Sequence, residues 1–177
     1  MPEIVYHVAT SLDGFIADKD GKVDWLNDFP SFEDSEVSGD FEAFQNSFDG
    51  IVLGGHTYDF ALDYGQWMSP NTPSWVLTKR ELSVLHPSIQ LTKESPETVN
   101  QQMEGKGIKR VWLMGGGKLA ASFMDAGLVN EIQLSIVPIL LGQGIPLIGE
   151  TSKEPKLTLT ENKQYSNGVV SVTYKVN

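Results

Sequence analysis

The chain contains no cysteine. That excludes a disulfide framework, a thiolate metal site and a cysteine nucleophile, and it suits a reducing compartment without requiring one. Histidine is almost as scarce. His7, His56 and His86 are scattered, with no i,i+4 pair and no acid at ligand spacing, so no metal centre is predicted. No apolar run approaches the roughly 18 residues that a membrane span needs. The opening Met1-Pro2-Glu3-Ile4 has neither a basic n-region nor a long apolar core, which predicts no secretory leader and a cytoplasmic protein. Gly-x-Ser-x-Gly and the spaced Gly-x-Gly-x-x-Gly are both missing, so a hydrolase elbow and a Rossmann fingerprint are excluded.

Positive charge is absent from a long central stretch. Between Lys22 and Lys79 there is no Lys or Arg, whereas Asp24, Asp28, Glu33, Asp34, Glu36, Asp40, Glu42, Asp49, Asp59 and Asp63 all fall there. They account for the whole net charge of −10. An acidic flank repels polyphosphate backbones, which argues against nucleic acid as a partner. A solvated acidic face that aids solubility explains most of these carboxylates.

What is present fits one folded domain. The 177 residues are 40% hydrophobic and 20% charged, and a chain this long buries roughly 70% of its unfolded surface. Stretches rich in Val, Ile, Leu, Tyr and Trp predict strands at residues 3–9, 50–53, 74–78, 89–92, 110–114, 131–138, 156–164 and 169–176. Asn167-Gly168 predicts a two-residue hairpin turn between the last two. Phe41, Phe44 and Phe48 share one face of a helix over residues 40–48. Ser95-Pro96-Glu97 opens a second helix that runs to Met103, and Gly127 ends a third over residues 118–126. Strands alternating with helices, then a closing hairpin, predict a three-layer α/β fold. Its sheet is mixed and mostly parallel, with about eight strands and helices on both faces. Residues 18–38 and 65–73 read as long loops of the kind that often serve as lids, and the first carries Trp25 and Phe29.

Two strand-to-helix junctions carry glycine. Ile51-Val52-Leu53-Gly54-Gly55-His56-Thr57-Tyr58 is echoed by Val111-Trp112-Leu113-Met114-Gly115-Gly116-Gly117-Lys118. Such a junction exposes backbone N–H groups at a helix N-terminus and lets a flat or anionic ligand approach the chain. The first also reads as a plain turn, with Thr57 as N-cap and His56 on the surface. Three consecutive glycines imply unusual dihedrals or close backbone approach. Thr78-Lys79-Arg80 at a strand end reads either as a phosphate clamp or as a basic surface turn, and Asp13-Gly14 reads as a turn after the first strand.

In order along the chain, these pieces resemble the dihydrofolate reductase fold. Within it they look closest to the C-terminal reductase domain of bifunctional riboflavin-biosynthesis deaminase-reductases. The likeness runs through Ala9-Thr10-Ser11-Leu12-Asp13-Gly14-Phe15-Ile16-Ala17, Asp24-Trp25-Leu26, Leu53-Gly54-Gly55-His56-Thr57-Tyr58 and Val76-Leu77-Thr78-Lys79. It continues in Met114-Gly115-Gly116-Gly117, Ala126-Gly127-Leu128-Val129-Asn130-Glu131 and the stretch from Ile136 to Gly144. The resemblance implies NADPH as hydride donor. Ala9 and Ile16 would line the nicotinamide, and Gly54, Gly55, Gly115, Gly116 and Gly117 would let the coenzyme approach the backbone. His56 and Thr57 would meet the pyrophosphate, while Thr78, Lys79, Arg80 and Lys118 would hold the 2′-phosphate. Dihydrofolate reductases commonly carry arginine where this chain has Gly55, so one phosphate cation is missing.

The resemblance also places Val8, Trp25, Phe41 and Phe44 on the substrate side. Asp40 becomes the candidate proton-relay acid, its pKa raised by aromatic walls. The other reading of Asp40 is an acid at a helix N-terminus, stabilised by the dipole. The implied substrate is a pyrimidine- or pteridine-like heterocycle, reduced as in riboflavin biosynthesis. Dihydrofolate fits poorly, because residues 58–78 offer no cation for its glutamate tail. Two alternatives remain, dihydrofolate reduction and nucleotide binding without turnover. The family also implies self-association into a homodimer through an edge strand.

Overall fold

The structure, a computed structural model, describes residues 1–29 and 35–177, without the side chains of Asp28 and of residues 35–39. Residues 30–34 of the predicted first lid lie outside the described residues. In chain order the elements are β1 (Glu3–Ser11), β2 (Phe15–Ala17), a short 3-10 helix (Asp24–Asp28), α1 (Ser35–Asn46), β3 (Gly50–Gly54), α2 (Gly55–Tyr64), β4 (Ser74–Leu77), β5 (Ile89–Thr92), α3 (Pro96–Gly105), β6 (Arg110–Gly115), α4 (Gly117–Asp125), β7 (Val129–Val137), β8 (Ile145–Pro146), β9 (Leu157–Gln164) and β10 (Val170–Val176). Eight of the strands form one sheet in the order β5-β4-β3-β6-β1-β7-β10-β9. The first six of these are parallel, β10 runs antiparallel to β7, and β9 pairs antiparallel with β10.

Alternation along the strands assigns the two faces. Ile4 and Tyr6 of β1 join Val99 and Met103 of α3 and Ala120, Phe123 and Met124 of α4 in one core. Val5 points the other way, into a second core with Phe48, Tyr58 and Trp112, against which Phe41 and Phe44 of α1 pack. The expected helices on both faces are therefore present. Val8 packs its side chain with the α3/α4 core. Trp67 anchors the otherwise largely exposed 65–73 loop by meeting Tyr58 edge-on at 6.1 Å. Among the described residues no helix is long and apolar enough to cross a membrane.

Strand order creates a crevice. β3 and β6 are parallel neighbours, with Leu53 opposite Gly115. The chain leaves β3 through α2 toward β4 on one side, and leaves β6 through α4 toward β7 beyond β1. Because α2 and α4 cover opposite faces, their N-termini part at the carboxyl edge between β3 and β6. In open α/β sheets this switch point is where ligands bind.

Four local expectations need correction. The last hairpin does not turn on two residues. Gly168 N donates to Tyr165 O at 3.0 Å and Tyr165 N to Val169 O at 2.9 Å, and only Gly168 (φ +86°) has positive φ there. That is a three-residue loop, a turn followed by a glycine bulge. Gly54, not Thr57, is the N-cap residue of α2. α1 begins at Ser35, so Asp40 lies beyond the first turn and out of reach of the terminal dipole argument. Finally, β2 and β8 form a separate two-stranded sheet that the hydrophobic pattern does not announce.

Candidate active site

The glycines of the two junctions divide by cause. Gly115 has φ +109°, a conformation open in practice to glycine alone. Gly117 is required by packing, because a Cβ there would run into the Pro146 carbonyl and lie 3.2 Å from that of Leu147. Gly55 is required too. A Cβ would come within 2.7 Å of Thr78 Oγ1 and 3.1 Å of Arg80 Nη2. Gly54 (φ −85°) and Gly116 (φ −81°) differ. Their extended dihedrals suit any residue, and the nearest atoms to an added Cβ stand at 3.6 Å and 3.7 Å respectively. The peptide bond before Gly116 is cis, but neither φ nor the room for a Cβ demands glycine at either position.

These two glycines are also neighbours. A Cβ on Gly54 would lie 3.7 Å from Gly116 N, and one on Gly116 would lie 3.7 Å from both Thr57 Oγ1 and Ile16 Cδ1. Residues 54–57 and 115–118 thus meet at the crevice, with Ile16 at its lip. The cradle is bare backbone at two helix N-termini, where N–H groups point outward.

Cations flank the cradle. Arg80 reaches across to the first turns of α2, where Nη2 contacts both carboxylate oxygens of Asp59 at 2.9 Å. His56 Nδ1 stands 3.4 Å from Asp59 Oδ2, with the His56 side chain 94% exposed. Thr78 Oγ1 accepts from Arg80 N at 3.1 Å and so shapes the strand end. Lys79 and Lys118 are exposed. The space left empty by glycine at 55 is therefore filled by Thr78 and Arg80, a cation delivered from the neighbouring strand.

An open groove of about 1020 Å³ lies on the α1 face of the sheet. Ala9 and Met114 line it at the carboxyl edge, Asp40, Phe41 and Phe44 on the α1 wall, and Lys163 and Tyr165 on the hairpin. The Val8 segment also lines it. Trp25 is buried beside it with Val137, Tyr165 and Val169. The substrate-side residues are thus brought together, although Trp25 belongs to a core cluster and Val8 turns its side chain away.

Asp40 does not have the electrostatics expected of a proton donor. Its carboxylate is half exposed (50%) and accepts from Lys163 Nζ at 2.7 Å and from Tyr165 OH at 2.8 Å. These partners, Lys163 first, hold its pKa below the usual carboxylate range, which corrects the expected upward shift. Stabilisation of the anion outweighs the aromatic wall. Lys163 and Tyr165 were invisible as site residues because they lie 123 and 125 positions from Asp40.

His7 is a further groove residue that sequence reasoning leaves unassigned. Its ring lies 3.9 Å from Phe44 and 6.1 Å from Trp112, centroid to centroid. Nδ1 is buried without a hydrogen-bond partner among the described residues. Burial lowers its pKa from 6.5 to about 4, against a smaller opposing effect of a hydrogen bond to Gln133. Asp13 is structural: it accepts from Ser11 Oγ at 2.6 Å and from Gly142 N at 2.7 Å, tying the loop after β1 to the loop after β7.

A mixed sheet of this order, with its crevice at the β3/β6 switch and an antiparallel closing hairpin, has the dihydrofolate reductase-like fold. Within that class, the chain belongs to the RibD C-terminal domain family, whose model matches residues 2–171. The uncharacterized protein YyaP of Bacillus subtilis (strain 168) is 30% identical over 98% of this chain and 95% of its own length. A Shewanella sp. PV-4 crystal structure, provisionally named for riboflavin biosynthesis, is 29% identical, with a TM-score of 0.86 over 99% of both chains. The Thermotoga maritima diaminohydroxyphosphoribosylaminopyrimidine deaminase/5-amino-6-(5-phosphoribosylamino)uracil reductase shares the fold. It is 16% identical with a TM-score of 0.74, covering 99% of this chain and 57% of that one.

Proposed function

We propose that this chain is an NADPH-dependent reductase of a pyrimidine- or pteridine-like heterocycle, catalysing a reduction of the riboflavin-biosynthesis type. The observation that carries the reading is the pair Gly54 and Gly116: adjacent, with φ and Cβ space that would accept a side chain, and set at two helix N-termini over a switch-point crevice. A coenzyme backbone lying against the chain is the reason for glycine at both. Membership of a reductase-domain family supports the same conclusion.

Gly54, Thr57 and Gly116 would hold the pyrophosphate by backbone N–H groups. Arg80, Lys79 and Lys118 would hold the adenosine 2′-phosphate. Ala9 and Ile16 would face the nicotinamide, which supplies a hydride. The groove wall of Phe41 and Phe44 would stack the heterocycle. Reduction of a C=N bond also needs a proton on nitrogen, and Asp40, held as an anion, is not its source. It anchors Lys163 and Tyr165, which carry donors into the groove. A second copy of the chain, paired through an edge strand, is part of this reading, as is residence in the cytoplasm.

Thermal unfolding with added dinucleotides is the test. NADPH at about a hundred times its Kd should stabilise the fold by about 2.7 kcal/mol, a rise of roughly 5–10 °C in Tm for a chain of this size. NADH should do less at equal concentration. No stabilisation by either dinucleotide refutes the coenzyme assignment.

A further inference from the structure

Two cations line the groove among its described residues, Arg110 and Lys163, and carboxylates already neutralise both. Arg110 Nε lies 3.2 Å from Glu3 Oε2 and Nη2 lies 3.3 Å from Glu131 Oε1. Nη1 donates to Ser47 Oγ at 3.3 Å, and the guanidinium covers the Phe48 ring at 5.0 Å. The guanidinium is thus flanked by two carboxylates, although Nε, buried, makes no hydrogen bond among the described residues. Lys163 Nζ is held by Asp40 at 2.7 Å. Glu161 lines the same groove and has no cation at salt-bridge distance among the described residues. The next cation, Lys175, lies in an adjoining hollow together with Glu3, Glu131 and Glu161.

Among the described residues, an anionic tail entering this groove therefore meets no cation without a carboxylate already beside it. A phosphate monoester is recognised through cationic forks that it can engage on both sides. Here it would have to displace a carboxylate or stand beside Glu161, and like-charge juxtaposition is how binding sites reject wrong partners. The remaining polar lining is neutral: Gln133, Ser135, Asn162, Ser171 and Thr173. Amides and hydroxyls of this kind pair with ring edges and with the hydroxyl groups of a sugar chain.

We propose, on the reading that this groove is the substrate site of the reductase, that the enzyme takes a heterocycle without a phosphate or carboxylate tail. The substrate class is a pyrimidine- or pteridine-like ring bearing a neutral, hydroxylated side chain. The chemistry is the reduction already described: hydride from NADPH to the carbon of C=N, a proton to its nitrogen, and NADP⁺ as the second product. Charge around the groove sets the preference between the free compound and its phosphate ester.

The experiment compares 5-amino-6-ribosylaminouracil with its 5′-phosphate as substrates of the full chain, following NADPH absorbance. The expected kcat/KM is at least tenfold higher for the unphosphorylated compound. In the double variant Glu3→Gln/Glu131→Gln, which releases Arg110, the ratio should move at least tenfold toward the phosphate ester. A wild-type preference for the ester, or equal use of the two, overturns the inference. Titration of both ribitylamino products against tryptophan fluorescence, with Trp112 in the groove, supplies a readout independent of turnover. If neither product binds and neither substrate reacts, the substrate-site reading of the groove falls, and the inference with it.

Discussion

His7 makes the stability of the fold depend on pH in a defined window. Its ordinary pKa is 6.5 and burial holds it near 4 in the folded chain. Between those values the unfolded chain binds a proton at position 7 and the folded chain does not. The stability gained by keeping the imidazole neutral is therefore complete above about pH 6.5, falls as pH drops through the window, and is gone by about pH 4. A shift of this size sets an upper bound of about 3.5 kcal/mol on the loss. For a chain of this size, the loss corresponds to a fall in Tm of roughly 5–10 °C. Carboxylates with lowered pKa, such as Asp40 and Asp125, add their own losses at lower pH, so the measurement must be a difference. His7→Phe places a non-titrating ring among Phe41, Phe44 and Trp112, within the same aromatic cluster. Calorimetric melts of both proteins from about pH 7 to about pH 4.5 should show the wild type losing ground steadily against the variant. Parallel curves across that window would refute the claim that a neutral, buried imidazole is linked to folding.

The glycine assignment separates two substitutions within one motif. Gly117→Ala drives a methyl group into the Pro146 carbonyl and should cost about 3 kcal/mol or more of stability, read by urea unfolding. Gly116→Ala meets nothing closer than 3.7 Å, so its unfolding midpoint should stay at or slightly above that of the wild type while the Tm rise with NADPH shrinks. Equal behaviour of the two variants would dissolve the distinction. Asp40→Asn removes an anchor, not a proton donor. It should lower kcat/KM about tenfold, chiefly through KM, well short of the 10²–10⁴-fold typical of losing a general acid. A thousandfold fall confined to kcat would return the proton to Asp40.

The elements that sequence reveals well are those whose causes are local. The buried strands Ile51–Leu53 and Val111–Leu113 read as apolar runs because both faces are covered. Ser95 caps α3 by accepting from Thr98 N at 3.3 Å, with Pro96 in the first turn, as the tripeptide alone implies. What stays hidden is set by distant partners. β2 and β8 pair across more than a hundred residues, and so few residues carry no period to detect. The groove draws its walls from β1, β6, β7, β9, β10 and α1, so its charge balance emerges only once the strand order brings Arg110 beside Glu131 and Lys163 beside Asp40. Asp40 departs from the expected raised pKa for that reason: aromatic neighbours are legible at three- and four-residue spacing, whereas a lysine on another strand is not.

Glycine shows the same limit most sharply. In the sequence, Gly54-Gly55 and Gly115-Gly116-Gly117 are five identical symbols, and each is open to a turn, a packing or a ligand explanation. In the fold, three of them are accounted for by φ at Gly115, by Arg80 and Thr78 at Gly55, and by the Pro146 carbonyl at Gly117. The two that remain come one from each junction and face one another. A protein under no demand from a ligand would gain from alanine at such positions, because alanine reduces the entropy of the unfolded chain by about 0.4–1 kcal/mol. Keeping glycine at both forgoes that gain, which the proposed coenzyme, lying against the backbone, would return.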